Sequence, residues 1–205
     1  GAIQVGGSDL DWNTATLRDA LTRLRTIHAD AARAWRGLEF NNSLQDRLRG
    51  VGIINRDQAL RLGVVGPAAR AAGVAEDVRT YSHPGFEPAM PDDPDGDVRT
   101  RYEQRARELW QAFALIDTLL DRPVRASRAQ PAPPSPGPGI AAIEGPRGRT
   151  VCMVESADGR VDRLHLRTGS YANWPAVAAA AAGNLLPDFP LINKSFELCL
   201  ACADR

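Results

Sequence analysis

Leu17, Leu21, Leu24, His28, Ala31, Trp35 and Leu38 recur at alternating steps of four and three, which lays one apolar stripe along a helix over residues 14–38. Asn13 or Thr14 suits its N-cap, because a short polar side chain accepts from the free amides of the first turn. His28 on that stripe reads as a packed or snorkelling side chain rather than a ligand. A second stripe, Val98, Tyr102, Leu109, Phe113, Ile116 and Leu120, follows Asp97 as cap and predicts a helix over 98–121. The two long helices are expected to pack as an antiparallel pair.

Between them the signals are local. Asn55 and Gln58 form a capping box, Asp57 adds a favourable charge to the first turn, and Gly63 offers a left-handed stop. Pro67 opens a second short helix that Gly73 closes. Residues 82–97 read as a loop punctuated by Pro84, Gly85, Pro88, Pro91, Pro94 and Gly96, and its aspartates as a solvated run. Beyond the second helix, Pro131, Pro133, Pro134, Pro136 and Pro138 mark a connector over 126–139. The period then changes: Thr150–Glu155 and Val161–Arg167 flank Asp158-Gly159, a hairpin signal. An alanine-rich helix from Pro175 to Ala182 and a tail from Leu185 to Arg205 complete the pattern. The expected fold class is α+β, predominantly α, with a small antiparallel sheet. A helical region spans 1–125, the connector 126–139, and the sheet with a C-terminal Cys-x-x-Cys segment 140–205.

Charge narrows the function classes. Lys+Arg and Asp+Glu each number 25, so no global field favours nucleic acid or an anionic surface. The longest uncharged apolar-leaning stretch, Trp174–Leu186, is too short and too alanine-rich to span a bilayer. Gly1–Gly7 show no basic segment leading into an apolar core, so no signal peptide is expected. Three cysteines do not make a secreted disulfide framework, and a reducing cytoplasm is the expected compartment.

Two motifs hold candidate chemistry. Cys199 and Cys202 form the one closely spaced pair of strong ligands; one turn of chain brings both sulfurs to the same side, where they suit a soft metal. A closed tetrahedral site needs two more donors that nothing nearby supplies, so a thiol redox pair and plain burial stay open. In Glu144-Gly-Pro-Arg-Gly148, Pro146 and the glycines hold the backbone tightly and project Arg147 from a fixed point. A fixed guanidinium can orient a substrate or stabilise charge beside an open metal position, or simply sit on a surface loop.

These pieces together resemble one family, in the right order. Ser195-Phe-Glu-Leu-Cys-Leu-Ala-Cys202 is similar to the C-terminal Asp-Pro-Cys-x-x-Cys of [NiFe] hydrogenase large subunits. Residues 144–148 resemble that family's Glu-Ala/Gly-Pro-Arg-Gly, and Arg167–Asn173 its Arg-x-Pro-Ser-Phe-x-Asn stretch. Gly52–Gly63, Gly66-Pro67 and Arg70-Ala-Ala-Gly-Val74 look like the form found in the hydrogenase-related subunit of respiratory complex I. The resemblance runs from about Asn41 to Arg205 and is closest to membrane-bound, formate hydrogenlyase-type large subunits. It implies a Ni–Fe centre with Cys199 as a terminal nickel ligand and Cys202 as the bridge to iron. Arg147 would overhang the open position, Ser170 would lie near the iron's diatomic ligands, and Glu197 would stand for the usual aspartate.

The departures are equally specific. Glu197-Leu198 replaces Asp-Pro, Arg149 stands where glutamate is common, and Gly169 replaces a proline, which is expected to loosen a loop. A second, N-terminal Cys-x-x-Cys is not among these residues, so the implied centre is incomplete here and the chain alone is expected to be inactive. The quinone-binding histidine and tyrosine region of the complex I relatives is not among them either. The implied partners are an N-terminal half or other hydrogenase or complex I-type subunits, including a small iron–sulfur subunit. These would place the chain peripherally on the inner face of the membrane. The alternatives are a non-catalytic assembly module with no metal bound, and a zinc clip between two C-terminal tails.

Overall fold

The computed structural model describes residues 14–83, 85–120 and 137–203. Eight α-helices are described beside one small sheet: α1 Thr14–Glu39, α2 Asn42–Leu48, α3 Arg56–Leu62, α4 Pro67–Ala71, α5 Arg79–Ser82, α6 Val98–Leu120, α7 Gly169–Ala181 and α8 Phe189–Phe196. The sheet is antiparallel in the order β1-β2-β3, with β1 Gly137–Gly145, β2 Gly148–Ala157 and β3 Arg160–Arg167. Short 3-10 turns at Leu186–Asp188 and Leu200–Cys202 flank α8. The chain is therefore α+β and predominantly α.

Local signals translate directly into capped ends. In α3 the Asn55 side chain accepts from Gln58 N while Gln58 Oε1 accepts from Asn55 N, and Gly63 closes the helix at φ 63°. Asp97 caps α6 by accepting from the Thr100 amide at 2.7 Å, and its second oxygen takes Gly50 N at 2.7 Å. One carboxylate thus fixes both the helix start and the turn before α3. Asp158 and Gly159, both at positive φ, turn β2 into β3. The candidate cap Asn13 and the connector up to residue 136 lie outside the described residues; residues 137–139 belong to β1.

The long helices do pair. Trp35 lies on Tyr102 with ring centroids 4.9 Å apart, and His28 meets Phe113 edge-on at 4.6 Å. Contacts that run down α1 as they run up α6 make the pair antiparallel. His28 stays exposed while its ring meets Trp110 and Phe113 edge-on, the snorkelling form of what its place on the stripe suggests.

Three expectations from the sequence need correction. The alanine-rich helix starts at Gly169, not at Pro175: Thr168 caps it by accepting from Tyr171 N, and Pro175 sits inside it. Ser170 and Asn173 therefore belong to a helix rather than to a loop. The C-terminal tail contains α8, whose Ile192 and Phe196 are buried. On α6 the apolar stripe is only part of the packed surface, because Leu109 is 42% exposed while Thr100, Arg101 and Gln104 are buried.

The core is built largely from small residues, among them Ala59, Ala68, Ala69, Ala72, Ala176 and Ala180, with Ile54, Ile192 and Phe196 as its larger members. Arg101 runs through this region at 1% exposure. It donates to Gly96 O at 2.7 Å, Gly52 O at 2.9 Å and Ser195 Oγ at 2.9 Å, and its guanidinium lies 4.3 Å from the Phe196 ring centroid. It thereby ties α8 to α6 and to the turns at both ends of the 52–96 segment. Arg101→Leu removes the donor to Gly52 O and to Ser195 Oγ and leaves Gly96 O only the Ile54 amide, and is expected to cost about 3 kcal/mol or more of stability. Urea unfolding checks this; a loss below about 1 kcal/mol would show that the fold does not lean on this side chain.

Candidate functional site

The site begins at two glycines. Gly145 pairs with Gly148, so Pro146 and Arg147 form the two-residue tip between β1 and β2. That tip presses on the turn before α4: a Cβ on Gly66 would lie 2.3 Å from Gly148 Cα, and one on Gly148 would lie 2.6 Å from Gly66 N. Only glycine permits backbone to meet backbone this closely, and both residues also have positive φ. Asn173, fully buried on α7, fastens the two turns together. Its Oδ1 accepts from Val65 N at 2.8 Å, and its Nδ2 donates to Val65 O at 3.0 Å and Arg147 O at 3.2 Å. Gly169 belongs to the same contact, since a Cβ there would lie 2.6 Å from Arg147 O. The expectation that Gly169 loosens a loop is thus replaced by a close approach that a side chain would break.

Held this way, Arg147 reaches the C-terminal segment. Its Nε donates to the carbonyl of Glu197, which ends α8 in the left-handed conformation at φ 54°. Two residues on, Cys199 N donates to Ser170 Oγ at 3.0 Å, while Thr168 Oγ1 donates to Cys202 O at 2.9 Å. Arg147, Ser170, Glu197, Cys199 and Cys202, drawn from three remote stretches, therefore converge on one place. The Cys199 thiol is pushed down by its hydrogen bond with Cys202, with the Arg147 charge adding to the effect. Cys202 is pushed up as the other member of that pair. The Glu197 carboxylate is engaged elsewhere, 3.5 Å from Arg105 Nε and 3.5 Å from Lys194 Nζ.

Two adjacent thiols, one favouring the thiolate, fit two positions of a soft-metal site. Among the described residues no group of three or more His, Cys, Asp or Glu is placed to hold an ion. The third cysteine, Cys152, lies mid-strand on β2 opposite Ala141 and Leu166. The donors gathered here are thus the two thiols alone, short of the four that a closed tetrahedral site needs.

Beside the thiols lies a cleft of about 470 Å³ lined by Arg105, Glu108, Glu144, Pro146 and Glu197 among others. Its floor is a charge cluster that sequence patterns do not reveal. Arg70, fully buried on α4, donates to Glu108 Oε1 at 2.7 Å and Oε2 at 2.9 Å, and lies 3.1 Å from both Asp77 and Glu144. Burial pushes the Asp77 carboxyl up, but hydrogen bonds from Arg79 and the charges of Arg70 and Arg79 outweigh it and hold the group low. At Glu144 burial wins and pushes the carboxyl up, against the pull of Arg70. Asn173 and Arg70 both lie in segments whose resemblance is visible in the sequence, but nothing in residue type or spacing marks them as buried.

Comparison with known proteins follows the same lines. Residues 1–135 and 124–205 match the family described as the 49 Kd subunit of respiratory-chain NADH dehydrogenase. The chain belongs to this family. It is 35% identical over 176 residues to a carbon monoxide-induced hydrogenase of Rhodospirillum rubrum, covering 82% of this chain and 48% of that protein. It is 31% identical to the membrane-bound hydrogenase subunit alpha of Pyrococcus furiosus, covering 80% of this chain and 44% of that one. It is 32% identical to a NADH-quinone oxidoreductase subunit of Syntrophobacter fumaroxidans, covering 98% and 56%. The chain thus spans about half the length of these relatives. Hydrogenases and quinone oxidoreductases both stand among the relatives of this member, as the mixed motifs implied.

Two expectations follow. Asn173→Leu keeps the volume and leaves Val65 N–H, Val65 C=O and Arg147 C=O unpaired, at an expected cost of about 2–4 kcal/mol. Amide exchange at Val65 should rise with it, and an unchanged Val65 rate would contradict the fastening role. Glu144 gives a pH signature. Its folded value is raised above the ordinary 4.5, so its contribution to stability is complete below that value and is lost as pH rises through the raised one. Glu144→Gln cannot lose it, so the variant should gain on the parent as pH rises from the ordinary 4.5 through the raised value. Urea unfolding of both at several pH values reads this, and a difference independent of pH would refute it.

Proposed function

We propose that the chain is the C-terminal part of a hydrogenase-type large subunit in a membrane-associated redox complex. In this reading Cys199 and Cys202 provide two of the four thiolates of a Ni–Fe centre. One observation carries the proposal: the Arg147 bond to the Glu197 carbonyl and the Cys199 bond to Ser170 gather separate segments around the two thiols. The centre, when bound, would supply the paired metals at which hydrogen is taken up or released. This chain's own residues hold the geometry for it. Thr168 and Ser170 fix the backbone of the Cys-x-x-Cys turn, and Arg147 keeps a positive charge beside the thiolates. Glu197 positions Arg147 through its carbonyl, and its carboxylate joins Arg105 at the mouth of the cleft.

The remaining thiolates come from a second Cys-x-x-Cys outside these residues, and electrons pass to a small iron–sulfur subunit. The chain is cytoplasmic and peripheral to the membrane in this reading. No helix among the described residues is long and apolar enough to cross a membrane; in this reading attachment runs through partner subunits. A second reading, a non-catalytic assembly module, is favoured by the Glu197 carboxylate, which is engaged with Arg105 and Lys194.

Anaerobic loading with nickel, followed by alkylation and mass spectrometry, separates the two readings. The half-site predicts that nickel shields Cys199 and Cys202 while Cys152 stays reactive, and that Cys199→Ser abolishes the shielding. The chain alone should give no hydrogen-dependent reduction of a viologen dye. Equal reactivity of all three thiols with and without nickel would leave the assembly module as the function.

A further inference from the structure

The cleft beside the thiols is not the only opening that reaches the buried charge cluster. A second, of about 170 Å³, is lined by Val65, Asp77, Thr80 and Glu144 among others. Each opening carries its own ion pair. In the thiol cleft Glu197 stands 3.5 Å from Arg105 Nε, with the exposed Lys194 Nζ also at 3.5 Å. In the second opening Arg149 stands 3.5 Å from Glu76. Between these pairs lie two guanidiniums, Arg70 and Arg79, and three carboxyls, Asp77, Glu108 and Glu144. Arg105 faces Glu197 first and Glu108 second. The buried group therefore has one carboxyl more than it has cations of its own, and surplus charge out of water is costly. A bound proton removes that cost.

Hydrogen bonding selects the carboxyl that holds it. Asp77 accepts from Arg79 Nε at 2.9 Å and Arg79 Nη2 at 2.6 Å, and Glu108 accepts from Arg70 Nε at 2.7 Å and Nη2 at 2.9 Å. Both are forked by a guanidinium, which favours the charged form. Glu144 has the longer contacts, 3.1 Å to Arg70 Nη1 and 3.3 Å to the Val78 amide, with its side chain only 3% exposed. Burial outweighs the pull of Arg70 there and favours the protonated acid. Glu144 also lines both openings, and it stands on the same strand end as Arg147.

We infer that Glu144 is a proton-exchanging carboxyl at the junction of the two openings, passing protons between the thiol-side cleft and the second opening. Its carboxylate takes a proton from water in one opening, and the resulting acid returns it to water in the other. Only O–H bonds form and break, and no electron moves. The inference rests on the proposed half-site, where hydrogen uptake yields protons that must leave and evolution needs protons supplied. It goes further in naming the side chain that they pass. Neither motif around the thiols gives Glu144 this role, and the mechanism above does not use it.

The probe is dicyclohexylcarbodiimide, an apolar reagent that adds to protonated carboxyls, with the labelled residue read by peptide mass spectrometry on the whole chain. Glu144 is expected to label in preference to Asp77 and Glu108, and its labelling should fade as pH rises from 4.5 through the raised value. Ala75→Trp narrows the second opening and Ala112→Trp the thiol-side cleft. Each alone should slow labelling and leave it measurable, and the two together should slow it at least tenfold, with folding checked by circular dichroism. Carbon-13 NMR of the unaltered chain is the second measurement: one glutamate should titrate above the others and vanish in Glu144→Gln. No labelling of Glu144, labelling of Asp77 or Glu108 in its place, or no such titration overturns the inference. So does a single block that slows labelling as much as both, since Glu144 would then open to one side only, or a double block without effect. In the complex assembled on this chain, Glu144→Gln should slow exchange of dihydrogen with deuterated water at least tenfold and Glu144→Asp should keep most of the rate; equal rates in all three overturn it as well. Nickel that shields neither Cys199 nor Cys202 would instead sink the half-site, while a titrating Glu144 reached from both openings would still stand as a buried proton site.

Discussion

The approach of Gly66 to Gly148 is the constraint on which the site depends. Two turns from opposite halves of the chain touch backbone to backbone, at a separation that any side chain would prevent. Such a contact has no apolar surface to stabilise it, so its holding force is the set of hydrogen bonds from Asn173. Because Asn173 lies on α7, the contact also sets the position of the helix whose first turn supplies Ser170 and follows Thr168. Those two residues fix Cys199 and Cys202. One amide side chain therefore connects the turn at Val65, the Arg147 tip and the thiol pair.

Polar burial is how this chain compensates for a small core. Its helices around the site are short and its buried residues are largely alanines, which bring backbones close but remove little area from water each. Two arginines span the gaps instead. Arg101 ties α6 to α8 and to the turns at Gly52 and Gly96, and Arg70 collects Asp77, Glu108 and Glu144. A buried guanidinium with its donors matched is costly to bring in and more costly to leave unpaired. That asymmetry makes the arrangement specific: only the backbone positions that present those acceptors can house the charge. The same cluster sets neighbouring carboxyls apart, with Asp77 held low and Glu144 pushed up a few ångströms from one shared arginine.

How much of this could be read from the chain depended on whether the signal was local. The capping box at Asn55, the stop at Gly63, the cap at Asp97 and the Asp158-Gly159 turn each rest on neighbours within one turn, and each formed as expected. The antiparallel pairing of α1 with α6 was legible because both helices carry long apolar stripes. Helix α8 was hidden by the prolines at 187 and 190, which read as breakers but occupy first-turn positions where no amide is needed. The start of α7 is masked for the related reason that Pro175 reads as an opening residue although it lies inside the helix. Buried Arg70 and Arg101 were illegible in principle, since partners such as Glu144 and Gly52 lie tens of residues away and residue type alone argues for solvent.

The site shows the same division. Arg147, Cys199 and Cys202 stand out by type and spacing, while the groups that orient them do not. Gly169 illustrates the difference most sharply. Read along the chain, a glycine where the motif it resembles has proline suggests slack. Read in space, it admits the Arg147 carbonyl to within a distance that no β-carbon allows. The loss of one rigid residue is offset by closer contact between α7 and the hairpin tip, and that contact aligns Arg147 with the thiols. A substitution that departs from a family pattern is therefore not by itself a sign of decayed chemistry. Whether it weakens a site depends on what fills the space it opens, and here the space is filled by backbone that carries the site's own arginine.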